Sequence, residues 1–193
     1  MANADVTRFM DNARISLPGA VDDALRLSFR AVMTEFLGAT NIWQEEIVFD
    51  TVANQRSYDL VCSEPGVIHR LMSLVNESDT PVAGQMAEPA VLTLTTLPSA
   101  VEELTATVSL NVDDPTDRED YPVFPAWILT KYELTILDGL LARMFVQPAK
   151  TYTNERLSVL HMKKFRAGMS VVRSEVERMN LHGAQAWRFP SFA

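Results

Sequence analysis

Apolar residues recur every three or four positions in two long stretches of the C-terminal part of the chain. The first stretch, residues 125–147, contains Trp127, Ile128, Tyr132, Ile136, Leu137, Leu140, Leu141 and Met144. The second, residues 155–180, contains Leu157, Leu160, Phe165, Met169, Val172, Val176 and Met179. This spacing is the period of an α-helix with one buried face, so the pattern predicts two amphipathic helices.

The link between these helices contains Pro148, which lacks a backbone N–H and clashes with the preceding helical turn. Thr153, Asn154 and Glu155 are residue types that begin helices, so the second helix is expected to start there. A short link with a proline favours an antiparallel helical hairpin. Because neither helix can bury its apolar stripe alone, a further apolar element is required.

A third helix with such a stripe is predicted from Pro18 to Gly38. Asp22 and Asp23 would lie in its first turns, where acids favour the positive end of the helix dipole, and Gly38 would end it. The stripe consists of Val21, Leu25, Phe29, Val32, Met33 and Phe36. Residues 1–16 are polar and weakly patterned, which predicts a short helix followed by a loop.

Beyond Ile42 the pattern changes to short segments rich in β-branched and aromatic residues. The predicted strands are residues 43–52, 57–61, 67–75, 91–96 and 104–112, with a helical turn as the alternative for 67–75. The first two flank a polar turn at Asn54 and Gln55 and are predicted to pair as a β-hairpin. In the last strand, alternation predicts that Leu104, Ala106, Val108 and Leu110 face the core and that Thr105, Thr107 and Ser109 face out.

Together these elements predict an α+β fold: an antiparallel helical bundle with an inserted small antiparallel β-unit and an extended C-terminal tail. The bundle comprises residues 1–42 and 121–182, the inserted β-rich unit residues 43–120, and the docking tail residues 183–193. The chain has 193 residues, 47% of them hydrophobic, which suits one domain with an insertion and a sizeable core.

Composition excludes several classes of protein. No run of about eighteen apolar residues is present, so no membrane span is expected. The N-terminal residues contain acids and no apolar core, so no secretory signal is expected. Cys62 is the only cysteine, which excludes internal disulfides and zinc clusters built from cysteines.

The net charge is −8, which argues against broad affinity for nucleic acid. Residues 150–193 nevertheless hold eight Lys and Arg against three Asp and Glu, whereas residues 1–149 hold nine against twenty-two. One interpretation is a solvated basic helix on an acidic protein. The other is two faces of opposite sign that meet in neighbouring copies, which would place Lys163, Lys164 and Arg166 at a subunit interface.

Motifs for catalysis and cofactor binding are absent: the sequence has no phosphate-binding loop, GxGxxG, HExxH or GxSxG. His69, His161 and His182 fall in three different elements, so we expect no metal site built from them. The acidic run at 113–120 lacks the ligand spacing and the glycine of a calcium loop. We therefore expect no metal ion and no cofactor.

Two adjacent acid pairs, Glu45–Glu46 and Glu102–Glu103, lie in predicted strands, where neighbouring side chains point to opposite faces. Such pairs have a poor geometry for general acid–base catalysis. Cys62 is interpreted as a small hydrophobic residue rather than a nucleophile. These observations predict that the protein is not an enzyme and has no catalytic residues.

The C-terminal segment follows a predicted helix stop and fits no helical or strand pattern. It contains Trp187, Arg188, Phe189, Pro190 and Phe192. Three aromatic side chains on a short terminus would be an aggregation hazard in solvent, so the segment either folds back on its own domain or enters a groove on a partner. Trp and Arg are frequent at interface hot spots, which favours the partner.

Four segments resemble head-to-tail adaptor (connector) proteins of tailed bacteriophages. LPGAVDDALRLSFRAVMTEFLGATNIWQEEI resembles their opening helix and first strand, and NQRSYDL the strand that follows. PAWILTKYELTILDGLLARMFVQPAKTYTNERLSVLHMKKFRAGM resembles their closing helix pair, and GAQAWRFPSF the tail of some members. The resemblance covers most of the chain and is least at residues 76–112.

The resemblance implies a virion structural protein at the head–tail interface, made in the host cytoplasm. It implies a ring, usually of twelve subunits, that docks on the portal protein, binds a tail or nozzle protein, and lets viral DNA pass without specific binding. The C-terminal segment of such proteins commonly reaches the portal, which assigns partner binding to Trp187, Arg188, Phe189 and Phe192 here, with Pro190 between them. The alternatives are a tail protein with a hydrolase activity and a free cytosolic binding module.

Overall fold

The computed structural model of the protein describes residues 2–113 and 121–179, which form a mixed α+β fold as the sequence predicts. The helices are α1 (Ala2–Ser16), α2 (Asp22–Thr40), α3 (Ala126–Phe145) and α4 (Glu155–Met179). The strands are β1 (Gln44–Asp50), β2 (Ser57–Asp59), β3 (Gly66–Asn76), β4 (Gly84–Glu88), β5 (Val91–Leu94) and β6 (Glu103–Val112). All six strands lie between α2 and α3.

Helix α1 is longer than the short helix and loop predicted for residues 1–16, because it is continuous from Ala2 to Ser16. Its buried residues are Val6, Phe9, Met10 and Ala13. These positions share one helical face, and Phe9 packs against Phe29 of α2 with 5.4 Å between the ring centroids. The prediction is wrong because the stripe is narrow and is buried only when α2 and α3 cover it.

Helix α2 continues past Gly38 to Thr40, so the predicted end is wrong. Asn41 ends the helix instead: it adopts the left-handed conformation with φ 51°, and its N–H donates to the Leu37 carbonyl. Asparagine tolerates this conformation better than most residues with a side chain. The predicted stripe is buried at Leu25, Phe29, Val32, Met33 and Phe36, whereas Val21 is exposed.

Helices α3 and α4 form the predicted antiparallel hairpin. At one end, Ser158 Oγ donates a hydrogen bond of 2.7 Å to the Ala142 carbonyl. At the other end, Lys131 Nζ donates a hydrogen bond of 2.5 Å to Glu175 Oε1. The Asn154 side chain accepts a backbone N–H from the first turn of α4 at 3.1 Å, so this helix begins where the sequence predicts.

Four residues assigned to the buried faces of this hairpin are on the surface instead. They are Trp127, Leu157, Leu160 and Met179, which are 46%, 37%, 46% and 59% exposed. The contact face of α4 is centred on Ser158, Phe165, Val172 and Val176. Spacing alone does not show which sector of a helix its neighbours will cover, and the assignment is wrong at these four positions for that reason.

Strand pairing differs from the predicted hairpin of the first two strands. One sheet has the order β1-β6-β3, and the other has the order β2-β5-β4, both antiparallel. The prediction is wrong because two apolar segments around a polar turn indicate strands but do not identify the partner of each strand. Strand β4 was not foreseen, since its sequence GQMAE has no alternating pattern.

Strand β6 is the central strand of the first sheet and links it to the helices. It buries Leu104, Ala106, Val108 and Leu110 as predicted. Ser109 was expected to face out, but it is fully buried, and its hydroxyl donates to the Arg70 carbonyl. Asn111 Nδ2 donates to the Thr34 carbonyl of α2 at 3.2 Å. The helices and the first sheet therefore share one hydrophobic core, in which Trp43 is buried.

Candidate assembly site

The exposed side of α4 carries the highest density of positive charge among the described elements. The helix has six Lys and Arg against three Glu. Two of these acids already form ion pairs. Glu175 pairs with Lys131 of α3, and Glu177 pairs with Arg173 of α4. Lys163, Lys164 and Arg166 are exposed, and none of them forms an ion pair with any residue that the structure describes.

Two of these three cations border a groove between the C-terminal end of α3 and the first half of α4. The groove has a volume of about 460 Å³ and is lined by Ala142, Arg143, Val146, Ser158, Val159, Met162, Lys163 and Arg166. Lys164 does not line it, because adjacent residues point about 100° apart around a helix. The structure thus brings Lys163 and Arg166 together and places Lys164 elsewhere on the surface.

Arg143 completes a cluster of three cations in this groove. Its Nη2 donates a hydrogen bond of 2.6 Å to Glu35 Oε2 of α2, which fixes the guanidinium beside the helix pair. Its Nε is buried and has no hydrogen-bond partner among the described atoms. Since buried donors without a partner are uncommon, Glu35 alone does not satisfy this side chain.

Apart from Ser158, the remainder of the groove is apolar and partly open to solvent. Val146 at the end of α3 is 60% exposed, and Val159 on α4 is 57% exposed. Met162 lines the same groove and is partly buried. An apolar floor with a rim of Arg and Lys suits a protein surface that offers carboxylates around small apolar side chains.

Two other polar side chains considered from the sequence, those of His161 and Cys62, have local structural partners. His161 Nδ1 lies 2.6 Å from Asp138 Oδ1 across the α3–α4 interface. Cys62 Sγ donates to the Gly66 carbonyl at 3.0 Å. His69 lies on the surface of β3, and His182 lies outside the described residues. Within residues 2–113 and 121–179, no group of three side chains could hold a metal ion.

Glu45 holds the segment that precedes β3. Its carboxylate accepts hydrogen bonds from the Ser63 hydroxyl at 2.5 Å, the Ser63 N–H at 2.8 Å and the Glu64 N–H at 3.4 Å. Burial by itself would raise the pKa of this carboxyl, but the three donors favour the ionised form more strongly, so its pKa lies below the usual value of 4.5. The role is structural.

The partner-binding residues expected from the sequence lie outside the described residues. They are Trp187, Arg188, Phe189, Pro190 and Phe192. Residues 114–120, which make up most of the predicted acidic run, lie outside them too.

Of the eight residues that line the groove, sequence reasoning identified only Lys163 and Arg166, and it missed Arg143, Val146, Val159 and Met162 among the others. One signal for Arg143 was available, because it is a cation in the last turn of a helix whose other face is apolar. No sequence signal pairs it with α4, since this contact depends on the register between the two helices.

These features define a mixed α+β protein whose candidate site is a charged, partly apolar surface groove. Among the described residues, no helix combines the length and apolarity needed to cross a bilayer. No protein-family model matches the sequence, and no curated protein matches it.

Proposed function

We propose that the protein is a head-to-tail adaptor of a tailed bacteriophage. In this proposal it is a virion structural protein whose ring docks on the portal protein and connects the head to the tail. The observation that carries the proposal is the ordered resemblance of the chain to such adaptors. Three segments that carry this resemblance coincide with elements of the fold. Residues 17–47 span α2 and most of β1, and residues 54–60 include β2. Residues 125–169 span α3 and more than half of α4.

The proposed architecture follows the same division of the chain. Residues 1–42 and 121–182 are a helical bundle core, residues 43–120 are an inserted β-rich unit, and residues 183–193 are a docking tail. The position of all six described strands between α2 and α3 supports this arrangement.

The proposed partners are further copies of the chain in a ring of twelve, the portal protein above, and a tail or nozzle protein below. Viral DNA passes through the ring without specific binding, which the net charge of −8 supports because like charge keeps DNA from adhering to the wall. After synthesis in the host cytoplasm, the protein resides at the head–tail interface of the virion. The proposed role requires no cofactor, no membrane and no enzymatic activity.

The tail is the proposed portal-binding element. In an extended segment, Trp187 and Phe189 project to one side and Arg188 to the other. Pro190 fixes one φ angle and so reduces the conformational freedom that is lost on docking. Phe192 provides a further anchor beyond the proline. The aromatic side chains would enter pockets on the portal while Arg188 meets a carboxylate or backbone carbonyls.

Deletion of residues 184–193 tests this role. The truncated chain should keep its helical content and melting temperature, since the deleted residues begin five positions beyond the end of α4 at Met179. It should fail to attach to DNA-filled heads that carry the portal but no adaptor, as measured by co-sedimentation. The single substitution Trp187→Ala should weaken this binding by about 2 kcal/mol or more if Trp187 is a hot spot.

Ser191→Ala serves as the matched control within the tail and should bind normally. A sharp fall in the melting temperature of the isolated truncated chain would contradict the proposal, because the tail would then be part of its own domain. Normal attachment of the truncated chain to heads would also contradict it.

A further inference from the structure

An acidic cluster lies at the end of the first sheet that is remote from the helices. The register of β1 and β6 places Asp50 directly opposite Glu103, and Glu102 precedes Glu103 in the chain. All three are exposed, and none of the three carboxylates forms an ion pair or a hydrogen bond with any described residue. Like charges directly opposite each other on antiparallel strands are destabilising, so this arrangement costs the isolated subunit stability.

Exposed valines border the same acidic cluster. Val52 follows β1 and is 51% exposed, and Val101 precedes β6 and is 69% exposed. The backbone holds these segments together, since the Thr51 N–H donates to the Glu102 carbonyl at 2.8 Å. We define Asp50, Val52, Val101, Glu102 and Glu103 as the acidic knob.

The acidic knob is the chemical complement of the groove between α3 and α4. The knob presents the paired carboxylates of Asp50 and Glu103 beside two exposed valines, with Glu102 next to them in the chain. The groove presents Lys163 and Arg166 beside Val146, Val159 and Met162, and its third cation, Arg143, is paired with Glu35. The groove cations Lys163 and Arg166 have no ionic partner among the described residues, and neither have the knob carboxylates. Opposite charges around apolar centres give both electrostatic and packing complementarity.

One chain cannot bring its own knob and groove together. Asn111 of β6 bonds to Thr34 of α2, and the adjacent Glu35 bonds to Arg143 in the groove. Glu103 lies eight residues before Asn111 on the same extended strand, a distance of about 26 Å at 3.3 Å per residue. This separation exceeds the reach of any side chain, so the knob and the groove of one chain do not meet.

We propose that the acidic knob of one copy docks in the α3–α4 groove of the next copy. This inference rests on the proposed ring and identifies the two surfaces that join its subunits. The contact is head-to-tail, because each copy contributes a different surface to its two neighbours. Such contacts form a closed ring when the rotation between neighbours closes, as an adaptor requires.

Reciprocal charge reversal tests the contact. The knob variant carries Glu102→Lys and Glu103→Lys, and the groove variant carries Lys163→Glu and Arg166→Glu. Either variant alone should assemble at least about a hundredfold more weakly than the wild-type chain, because each now places like charges at every contact. Sedimentation velocity at low salt measures the assembly, and circular dichroism confirms that each variant is folded.

Mixing distinguishes a specific contact from a general loss of assembly. In an equimolar mixture the knob variant meets the groove variant with opposite charges at every contact, so alternating oligomers should form. A chain that carries all four substitutions should assemble by itself. Lys164→Glu and Glu88→Lys are matched controls outside the two surfaces and should leave assembly unchanged.

Cross-linking checks the same contact by position. In a Cys62→Ser background, a chain carrying both Val101→Cys and Val159→Cys should form disulfide-linked ladders on oxidation, whereas either single cysteine should yield dimers at most. The proposal is overturned if the reversed variants assemble normally, if the mixture fails to recover assembly, or if no ladder forms at about millimolar protein.

The outcomes separate this inference from the proposed function. If the charge-reversed variants assemble like the wild type and that ring still attaches to portal-bearing heads, the adaptor role stands and the subunit contact is elsewhere. If assembly follows the charge pattern but the ring has no affinity for such heads, the subunit contact stands and the adaptor role fails.

Discussion

At the scale of single residues, polar side chains determine the loops that connect the elements. Asn41 ends α2 through its left-handed backbone, and Asn154 begins α4 by accepting a backbone N–H. The Glu45 carboxylate gathers three donors from Ser63 and Glu64 and so attaches the segment before β3 to the first strand. In each case a hydrogen bond satisfies a backbone group at the end of an element or in a loop.

Substitution of Glu45 tests the last of these interactions. The pKa of this carboxyl is lowered in the folded state, so its stabilising contribution is fully present above the unfolded pKa and is lost as pH falls through the lower folded pKa. Glu45→Gln should reduce the free energy of unfolding at pH 7 by about 1 kcal/mol. It should also reduce the loss of stability below about pH 4.5, as urea denaturation across pH would measure.

Glu46→Gln is the matched control, because Glu46 is exposed and its carboxylate has no hydrogen-bond partner among the described residues. It removes the same charge from the neighbouring position and should change stability little at any pH. Equal effects of the two substitutions would contradict the structural role of Glu45.

At the scale of elements, the helical hairpin depends on which faces of α3 and α4 are covered. The face of α3 toward the core contains Ile136 and Leu140, both fully buried, whereas Leu134 of the same helix is 78% exposed. Gly139 allows close approach, since a Cβ at this position would lie 2.8 Å from Val32 of α2 and 2.9 Å from Phe165 of α4. The three helices therefore meet at one tight junction.

Leu140→Asp tests this arrangement. An ionised carboxylate without a partner at a fully buried position should unfold the domain or reduce its free energy of unfolding by more than about 4 kcal/mol. Leu134→Asp makes the same chemical change on the exposed side and should stay within about 0.5 kcal/mol of the wild type. Chemical denaturation followed by circular dichroism measures both, and similar losses at the two positions would refute the buried face.

For the inserted unit, the sequence predicted where the strands begin and end as a group but not how they pack against the helices. The change of period at Ile42 and the return of helical spacing after Pro125 bracket the strands in the structure. Asn111 and Thr34 nevertheless join β6 to α2, and the shared core crosses this boundary. The boundary in the sequence therefore separates the two kinds of element but not their packing.

At the scale of the whole molecule, charge is segregated between the sheets and the helical hairpin. The described residues 43–113 hold eleven Asp and Glu against two Arg, and residues 125–179 hold nine Lys and Arg against five acids. This segregation gives the subunit two ends of opposite sign, which is the electrostatic basis of the head-to-tail contact.

The same charge balance predicts weak binding to duplex DNA. With a net charge of −8, the protein should bind a short duplex of random sequence with a dissociation constant above about 1 μM at physiological salt. Fluorescence anisotropy measures this, and a low-salt titration provides the control for residual electrostatic attraction by α4. A dissociation constant below about 1 μM at physiological salt would contradict both the charge argument and the role as a passive conduit.

The sequence by itself determined the elements that depend on local periodicity and composition. It indicated the α3–α4 hairpin, the stripe of α2 and the alternation of β6, because side-chain direction repeats every 3.6 residues in a helix and every two in a strand. It also indicated the basic character of α4. For α1 the same rule failed, because its stripe of four residues is diluted by polar neighbours.

Only the tertiary structure decided which elements are partners. Strand β1 pairs with β6, which places Asp50 opposite Glu103. Arg143 of α3 lines the same groove as Lys163 and Arg166 of α4. Trp127 is exposed in the structure, although the helical period assigned it to the core. The physical reason is that a periodic pattern fixes the direction of each side chain relative to its own element, whereas register and coverage depend on packing between elements that are distant in sequence.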